Sequence, residues 1–410
     1  MRLLHTSDWH LGQTLHGFDR SHEHQAFLDW LLDTLEREAV DALLVAGDVF
    51  DTANPSAAAQ HQLYAFLGRA KARLPHLHTV LIAGNHDSAA RLEAPGPLLA
   101  AFDARASGQL VRDAAGAIDV ERLLLPLCAR DGRSAAWVLA VPFLRPGDVP
   151  RVEGAADPYP AGVAALYAQA LELALQRRAP GQAIVALGHC HMAGGEVSAD
   201  SERRLVIGGA EALPAGLFDP RIAYVALGHL HRAQRVGGDD TRRYAGSPLP
   251  LAFTERDYRH QVLRVDLDGE HVREVIALHV PRTVPLLRVP ERHAPPDAVL
   301  AALAALALPP CPPAARPYLE VRVQLDAPEP DLRARIDAAL EGRPVRLARI
   351  DARRSAAAPA AAHVPDDLAR LQPVDVFERR FHERYGAAAP EPLRRAFAEL
   401  LHAAAAGEAR

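Results

Sequence analysis

The chain opens on an exchange between two hydrophobic periods. Residues 2–6 (RLLHT) read as a strand, residues 22–38 (HEHQAFLDWLLDTLERE) place apolar side chains at helical spacing, and residues 42–46 (ALLVA) form a short apolar run of a buried strand. A second helical stretch at 56–74 and another strand at 78–83 (HTVLIA) follow. The order β-α-β-α-β predicts parallel strands, with active-site residues at their carboxyl ends. Further strands are predicted at 137–141, 183–187, 222–227, 242–245 and 261–267, and helices at 161–178 and near 209–214.

Around Val280 to Pro285 the pattern resets. Residues 285–350 predict strand (PLLRV), helix (PDAVLAALAALAL), strand (YLEVRVQL), helix (PDLRARIDAALE) and strand (VRLARI), a smaller α/β unit with proline-rich joints at 309–317. The stretch RRSAAAPAAAHVPDD then has the Ala and Pro content of a linker. Residues 373–406 return to helical spacing, with Val376, Phe377, Phe381, Leu393, Phe397, Leu400 and Leu401 apolar and breaks near Gly386 and Pro390. Two short amphipathic helices with nothing else to pack on invite a partner. The expected division is therefore 1–282, 283–353, a linker at 354–364, and C-terminal helices within 365–410.

Composition narrows the classes. With 410 residues, 49% hydrophobic and 24% charged, the chain can bury a core and has room for a large catalytic domain beside smaller units. Lys71 is the sole lysine among abundant arginines, a skew that reads as codon bias. The net charge of −5 excludes a freestanding basic nucleic-acid binder, so a polyanionic substrate must be gripped by local patches, metal ions or a partner. Cys128, Cys190 and Cys311 lack CxxC spacing, which argues against a disulfide framework or a thiolate zinc site. The N-terminus has no apolar signal core and no run of about 18 apolar residues occurs, so a soluble cytoplasmic protein without membrane association is expected.

Five polar clusters stand directly after predicted strands: Asp8-Trp9-His10, Gly47-Asp48-Val49-Phe50-Asp51, Gly84-Asn85-His86-Asp87, Gly188-His189-Cys190-His191 and Gly228-His229-Leu230-His231. Strand ends share one edge of a sheet, so these clusters should converge. In D-x-H and H-x-H, an extended backbone points residues i and i+2 the same way. A preceding Gly allows a sharp turn and leaves room for the site. Carboxylate, imidazole and amide oxygen without thiolate suit Mn²⁺, Fe or Zn²⁺. Asp8, His10, Asp48, Asn85, His189, His229 and His231 exceed what one ion needs, which predicts two ions with Asp48 as the bridge. Two such ions serve in-line displacement at phosphorus, hence phosphoester hydrolysis, and His86 is placed to steady phosphoryl oxygens or protonate the leaving group.

Other roles remain open for some members. Asp51 and Asp87 suit a helix N-cap or a turn as well as they suit a place in the site, and Asp87 could also orient a histidine. His189 is preferred over His191 because it follows Gly, as His229 does. Trp9 reads as packing or, beside a metal, as an aromatic that could stack on a base, and Cys190 should point away from its neighbouring histidines. His5, His22, His24, His61, His76 and His78 read as ordinary core or surface histidines.

The order DWH, GDVFD, GNHD, GH, GHLH resembles the calcineurin-like metallophosphoesterase superfamily over residues 1 to about 232. SDWHLGQTLHG, EHQAFLDWLLD, VDALLVAGDVFDTANP, LIAGNHDS, ALGHLHRAQ, YAGSPLPLAFTE and the final VDVFERRF together look like the nuclease-subunit family of bacterial SbcCD complexes, a likeness that spans essentially the whole chain. The resemblance implies an α/β core of two packed β-sheets flanked by helices, with a small α/β capping domain and C-terminal helices. It implies one metal held by Asp8, His10, Asp48 and His231 and a second by Asp48, Asn85, His189 and His229, with His86 a catalytic non-ligand. More distant relatives have His at the position of Asp51, which leaves that residue without an inherited role, and His191 has no counterpart. Implied too are two divalent ions, Mn²⁺ in the family, with exonuclease and hairpin endonuclease action on DNA in repair and recombination. A homodimer inside a heterotetramer and tail helices that bind an SbcC-type, SMC-like ATPase complete the expectation. The core motifs also suit a phosphoesterase acting on nucleotides or phosphoproteins, and the tail suits a mainly structural DNA-end tether.

Overall fold

A computed structural model describes residues 1–114, 116–198, 212–327, 329–354, 377–378, 380–382 and 388–397. The first half of the core runs β1 (Arg2–Thr6), α1 (Ser21–Arg37), β2 (Ala42–Ala46), α2 (Ala57–Arg73), β3 (His78–Ile82) and β4 (Ala104–Ser107). It continues through β5 (Leu124–Cys128), β6 (Ser134–Ala140), α3 (Pro158–Arg177), β7 (Ala183–His189), β8 (Tyr224–Gly228), β9 (Gln234–Val236), β10 (Asp239–Tyr244), β11 (Gln261–Asp268) and β12 (His271–His279).

These strands form two six-stranded sheets, ordered β12-β11-β1-β2-β3-β4 and β9-β10-β8-β7-β6-β5. Strands β1 to β4 are parallel to one another, and β11 pairs antiparallel with β1. In the second sheet β6, β7, β8 and β10 are parallel.

The period of two along each strand produces the layers. Leu3, Leu44, Val80 and Ile82 of the first sheet face Val138, Val185, Leu187, Tyr224 and Ala226 of the second in a buried core between the sheets. Their neighbours Leu4, Leu43, Val45 and Leu81 turn outward onto Phe27, Leu31 and Leu35 of α1 and Leu63, Phe66 and Ala70 of α2. On the far side Ile184, Ala186, Val225 and Leu227 meet Val163, Leu166, Ala170 and Ala174 of α3. The core is thus helix, sheet, sheet, helix, and strands with both faces covered read as continuous apolar runs. Helix α2 starts where Ser56 accepts the Ala59 N–H at 3.2 Å, so Asp51 is not its cap.

The smaller unit follows as β13 (Leu286–Ala294), α4 (Pro296–Ala304), β14 (Tyr318–Leu325), α5 (Leu332–Ala339) and β15 (Arg346–Arg354), a three-stranded sheet ordered β13-β14-β15. Leu286 and Tyr318 of this unit are buried with Val284, Leu15 and Phe253. The helix expected near 209–214 is absent from its described part: Leu213 forms a bridge with Met192, and a single 3₁₀ turn follows at Ala215–Leu217. Pro214 has no N–H to extend a helix and favours the extended conformation seen there. Among the described residues, no helix is long and apolar enough to cross a membrane.

Compactness separates Met1–Val323 with Glu329–Ala352 from a second unit of Gln324–Pro328 and Arg353–Arg410. The expected linker from 355 onward and most of 365–410 lie outside the described residues. Within the second unit Phe377 stacks on Phe397 with ring centroids 4.3 Å apart, and Phe381 lies 6.2 Å from Phe377. Arg394 pairs with Glu391 at 2.9 Å and Glu378 at 3.6 Å. The two tail segments therefore pack on each other.

Candidate metal centre

All five polar clusters stand at carboxyl ends of parallel strands, but the strands belong to two sheets. Asp8, Asp48 and Asn85 follow β1, β2 and β3, whereas His189 ends β7 and His229 follows β8. The loop after β1 continues to pair with the loop after β2, through Asp8 N–H to Gly47 O at 3.0 Å and His10 N–H to Asp48 O at 3.0 Å.

The expected D-x-H geometry is corrected by the backbone. Asp8 (φ 54°), His10 (φ 46°), Asp48 (φ 49°) and His229 (φ 103°) are all left-handed, so Asp8 and His10 reach one centre through a tight loop instead of an extended chain. Such conformations cost on the order of 1 to 3 kcal/mol each for residues with a Cβ and concentrate at functional sites. Gly47 (φ 89°) provides the turn anticipated for a Gly before the polar residue. Gly84 and Gly228 act through space: a Cβ on Gly84 would collide with Asp48 Oδ1, and one on Gly228 with Ala46 O.

The side chains converge around Asp48. Its Oδ2 is 3.6 Å from His10 Nε2 and 3.3 Å from His189 Nε2. Asn85 Oδ1 lies 3.0 Å from both His189 Nε2 and His229 Nδ1. Three trios bring potential ligand atoms within 4.8 Å of one another: Asp8 with His10 and His231, Asp8 with Asp48 and His189, and His10 with Asp48 and His86. His10 Nε2 is buried without a hydrogen-bond partner, as a nitrogen aimed at a cation would be.

The electrostatics agree with a cation site. Burial opposes ionisation of Asp48, yet His189, His10 and His86 outweigh it and hold the carboxyl far below the usual range. Burial alone would lower His189, but Asp48 and Asp8 raise it to about 9. His229 is driven well below its ordinary value by burial and by the neighbouring His189. Without a cation, a proton on His189 helps balance the carboxylates, and a bound cation would replace it.

Residues 1–233 match the family model for calcineurin-like phosphoesterases, and residues 282–385 match the one described as the type 5 capsule protein repressor C-terminal domain. The SbcD subunit of the SbcCD nuclease from Rhodobacter capsulatus is 45% identical over 386 residues, covering 93% of this chain and 94% of the relative. The protein of the same name from Escherichia coli K12 is 34% identical over 98% of each chain. The chain belongs to the SbcD nuclease family. The Bacillus subtilis relative is 37% identical over 65% of this chain and 66% of its own. Membership identifies a metal-dependent phosphodiesterase of the nuclease type and a calcineurin-like site that binds divalent metal.

Around this SbcD-family centre, Glu255 and Tyr244 are supporting residues that were not legible in the sequence. Glu255, buried in a 3₁₀ turn, lies with Oε1 2.9 Å from His231 Nδ1. Asp51 contacts two members of the site, with Oδ1 3.2 Å from His10 Nδ1 and its carbonyl 2.8 Å from His86 Nδ1. The Tyr244 hydroxyl donates to Cys190 O at 2.7 Å and accepts from Met192 N–H at 2.9 Å, fixing the loop after β7. Asp87 is a turn former: its carboxylate accepts N–H from Gly84 at 2.9 Å, Val49 at 3.1 Å and Phe50 at 2.9 Å. Burial and then Asp48 push that carboxyl up to about 6, against the pull of those donors.

His191 stays at the margin, half-buried with its ring 6.2 Å from that of His229. Cys190 Sγ turns to Met192 Sδ at 3.7 Å, and burial pushes its thiol up to about 12. Trp9 is fully buried against Phe27 and Phe66 and has a packing role.

Proposed function

We propose that the chain is the nuclease subunit of a DNA-end-processing assembly, hydrolysing phosphodiesters as an exonuclease and as a hairpin and single-strand endonuclease with two Mn²⁺ ions. Asp8, His10, Asp48 and His231 would hold one ion, and Asp48, Asn85, His189 and His229 the other. The observation that carries this reading is the buried Asp48 carboxylate between His10 and His189, one from each sheet. Bound divalent ions supply Lewis-acid stabilisation of charge at phosphorus and acidify water.

The chain's own residues do the rest. His86 Nδ1 engages the Asp51 carbonyl at 2.8 Å, which leaves Nε2 to face the phosphate and hold or pass the leaving-group proton. The left-handed loops fix the donors before substrate arrives, so little reorganisation accompanies reaction. The division of labour we infer is a nuclease core at 1–282, a capping unit at 283–353, a linker at 354–364, and tail helices in 365–410 that bind an SbcC-type, SMC-like ATPase. A homodimer of the core would carry two sites on one DNA, and the net charge of −5 fits a nuclease that borrows DNA affinity from its partner.

The deciding experiment offers linear and hairpin DNA, and separately small phosphodiesters, to the metal-loaded full chain. Manganese-dependent cleavage of DNA is expected, and turnover of small phosphodiesters with none on DNA would overturn the assignment. Removal of residues 365–410 should leave basal cleavage and abolish association with the ATPase.

A further inference from the structure

The turn that carries Glu255 is gripped from two sides. Glu255 is buried, with Oε1 2.9 Å from His231 Nδ1 and Oε2 accepting the Leu251 N–H at 2.7 Å. From the core, Gln13 donates to Leu251 O at 3.1 Å, and the buried Arg20 donates to Pro250 O at 2.7 Å. Arg20 is itself held by Glu23 at 2.7 Å, and Glu23 accepts the hydroxyl of Tyr318 from the small α/β unit at 2.8 Å.

From the small unit, Arg288 donates to Phe253 O at 2.6 Å and to the buried Glu320 at 2.7 Å. Arg256 forks onto Glu291 at 2.9 and 3.0 Å. The Phe253 ring is buried with Leu286 and Tyr318. The segment 250–256 is therefore both the support of His231 and the seam on which the small unit rests.

We propose that Glu255 is the positioning residue for His231, and that docking of the small unit, through Arg288, sets the affinity of the cation position that His231 serves. This rests on the two-cation reading above. A carboxylate that accepts from Nδ1 makes Nε2 the ligand nitrogen, fixes the ring and raises its basicity, and losing such support weakens metal binding by about 10- to 100-fold. A shift of the small unit moves Phe253 O, the turn and then the Glu255 carboxylate, so the unit acts on the site through that turn.

The test is calorimetric titration of Mn²⁺ into metal-stripped full chain, with thermal melting as a fold control. Glu255→Gln and Arg288→Met should each weaken one of two binding events by about 10- to 100-fold and leave the other unchanged, and Arg288→Lys should recover part of the loss. A general folding defect would weaken both events together and would count against the proposal. Unaltered affinities in either folded variant overturn it. The two-cation reading fails separately, if the unsubstituted chain takes up a single ion or His231→Ala keeps both events.

Discussion

Oδ2 of Asp48 stands 3.3 Å from Nε2 of His189, both side chains buried. The two come from different sheets, and that carboxylate also faces His10 at 3.6 Å. In the proposed arrangement Asp48 serves both cations, and a shared ligand cannot be removed from one alone. Asp48→Ala should therefore abolish both binding events in an Mn²⁺ titration and lower DNA cleavage by at least about a hundredfold. Retention of one full-affinity ion would show that Asp48 serves a single cation.

His86 is fixed by two bonds that do not involve its Nε2: its N–H donates to Asp48 Oδ1 at 2.8 Å, and Nδ1 meets the Asp51 carbonyl at 2.8 Å. A positioned general acid contributes about 10² to 10⁴ in rate. His86→Gln is expected to lose cleavage on that scale while still binding two ions. Because His86 also forms a potential ligand trio with His10 and Asp48, a missing ion in this variant would make it a ligand instead.

The main strands and the polar clusters at their ends were legible because both follow local rules. Buried parallel strands such as ALLVA and AIVALGH announce themselves as apolar runs, and polar residues after a Gly mark their ends. Other strands carry weaker signals: β4 (ARAS) is only four residues, β5 has Pro126 in its middle, and β12 alternates irregularly at a sheet edge. The left-handed Asp8 and His10 were not anticipated: Asp and His are enriched at positive φ, but that tendency is too weak to single out a position. Glu255 was equally hidden. It lies 24 residues after its partner, in a turn that packs against the small α/β unit.

Asp87 offers a stability test independent of metal chemistry. Its carboxylate is the acceptor for three N–H groups and ties the loop after β3 to the loop after β2. Leaving a buried donor unpaired costs about 1 to 3 kcal/mol. Asp87→Ala should lower unfolding stability of the metal-free chain by roughly 3 kcal/mol, measured in urea, with Asp87→Asn intermediate because it keeps one acceptor oxygen. Equal stability of Asp87→Ala and the unsubstituted chain would refute the loop-clamp role.

His5 sets an acid limit on the fold. It is buried between the sheets, with Nδ1 3.0 Å from the Tyr224 hydroxyl and Nε2 3.1 Å from Leu227 O. Burial lowers its pKa to about 3, with Arg243 adding to the effect and the Leu227 carbonyl opposing it. The unfolded chain, at the ordinary value of 6.5, binds this proton first, so the contribution is intact above that pH and is lost as pH falls toward the folded value. Between about pH 7 and about pH 5 the loss is roughly 2 kcal/mol, below the limit of about 1.4 kcal/mol per unit for one proton because the upper half-unit lies above the unfolded value. His24, also lowered to about 3 chiefly by burial, acts in the same direction, so the contribution of His5 must be read as a difference between variants. In urea unfolding of metal-free protein at about pH 7 and about pH 5, His5→Gln should lose less stability on acidification than the unsubstituted chain, by that 2 kcal/mol or so. Parallel losses in the two proteins would mean that His5 accepts a proton in the folded state without penalty, and that the contact between the sheets tolerates charge.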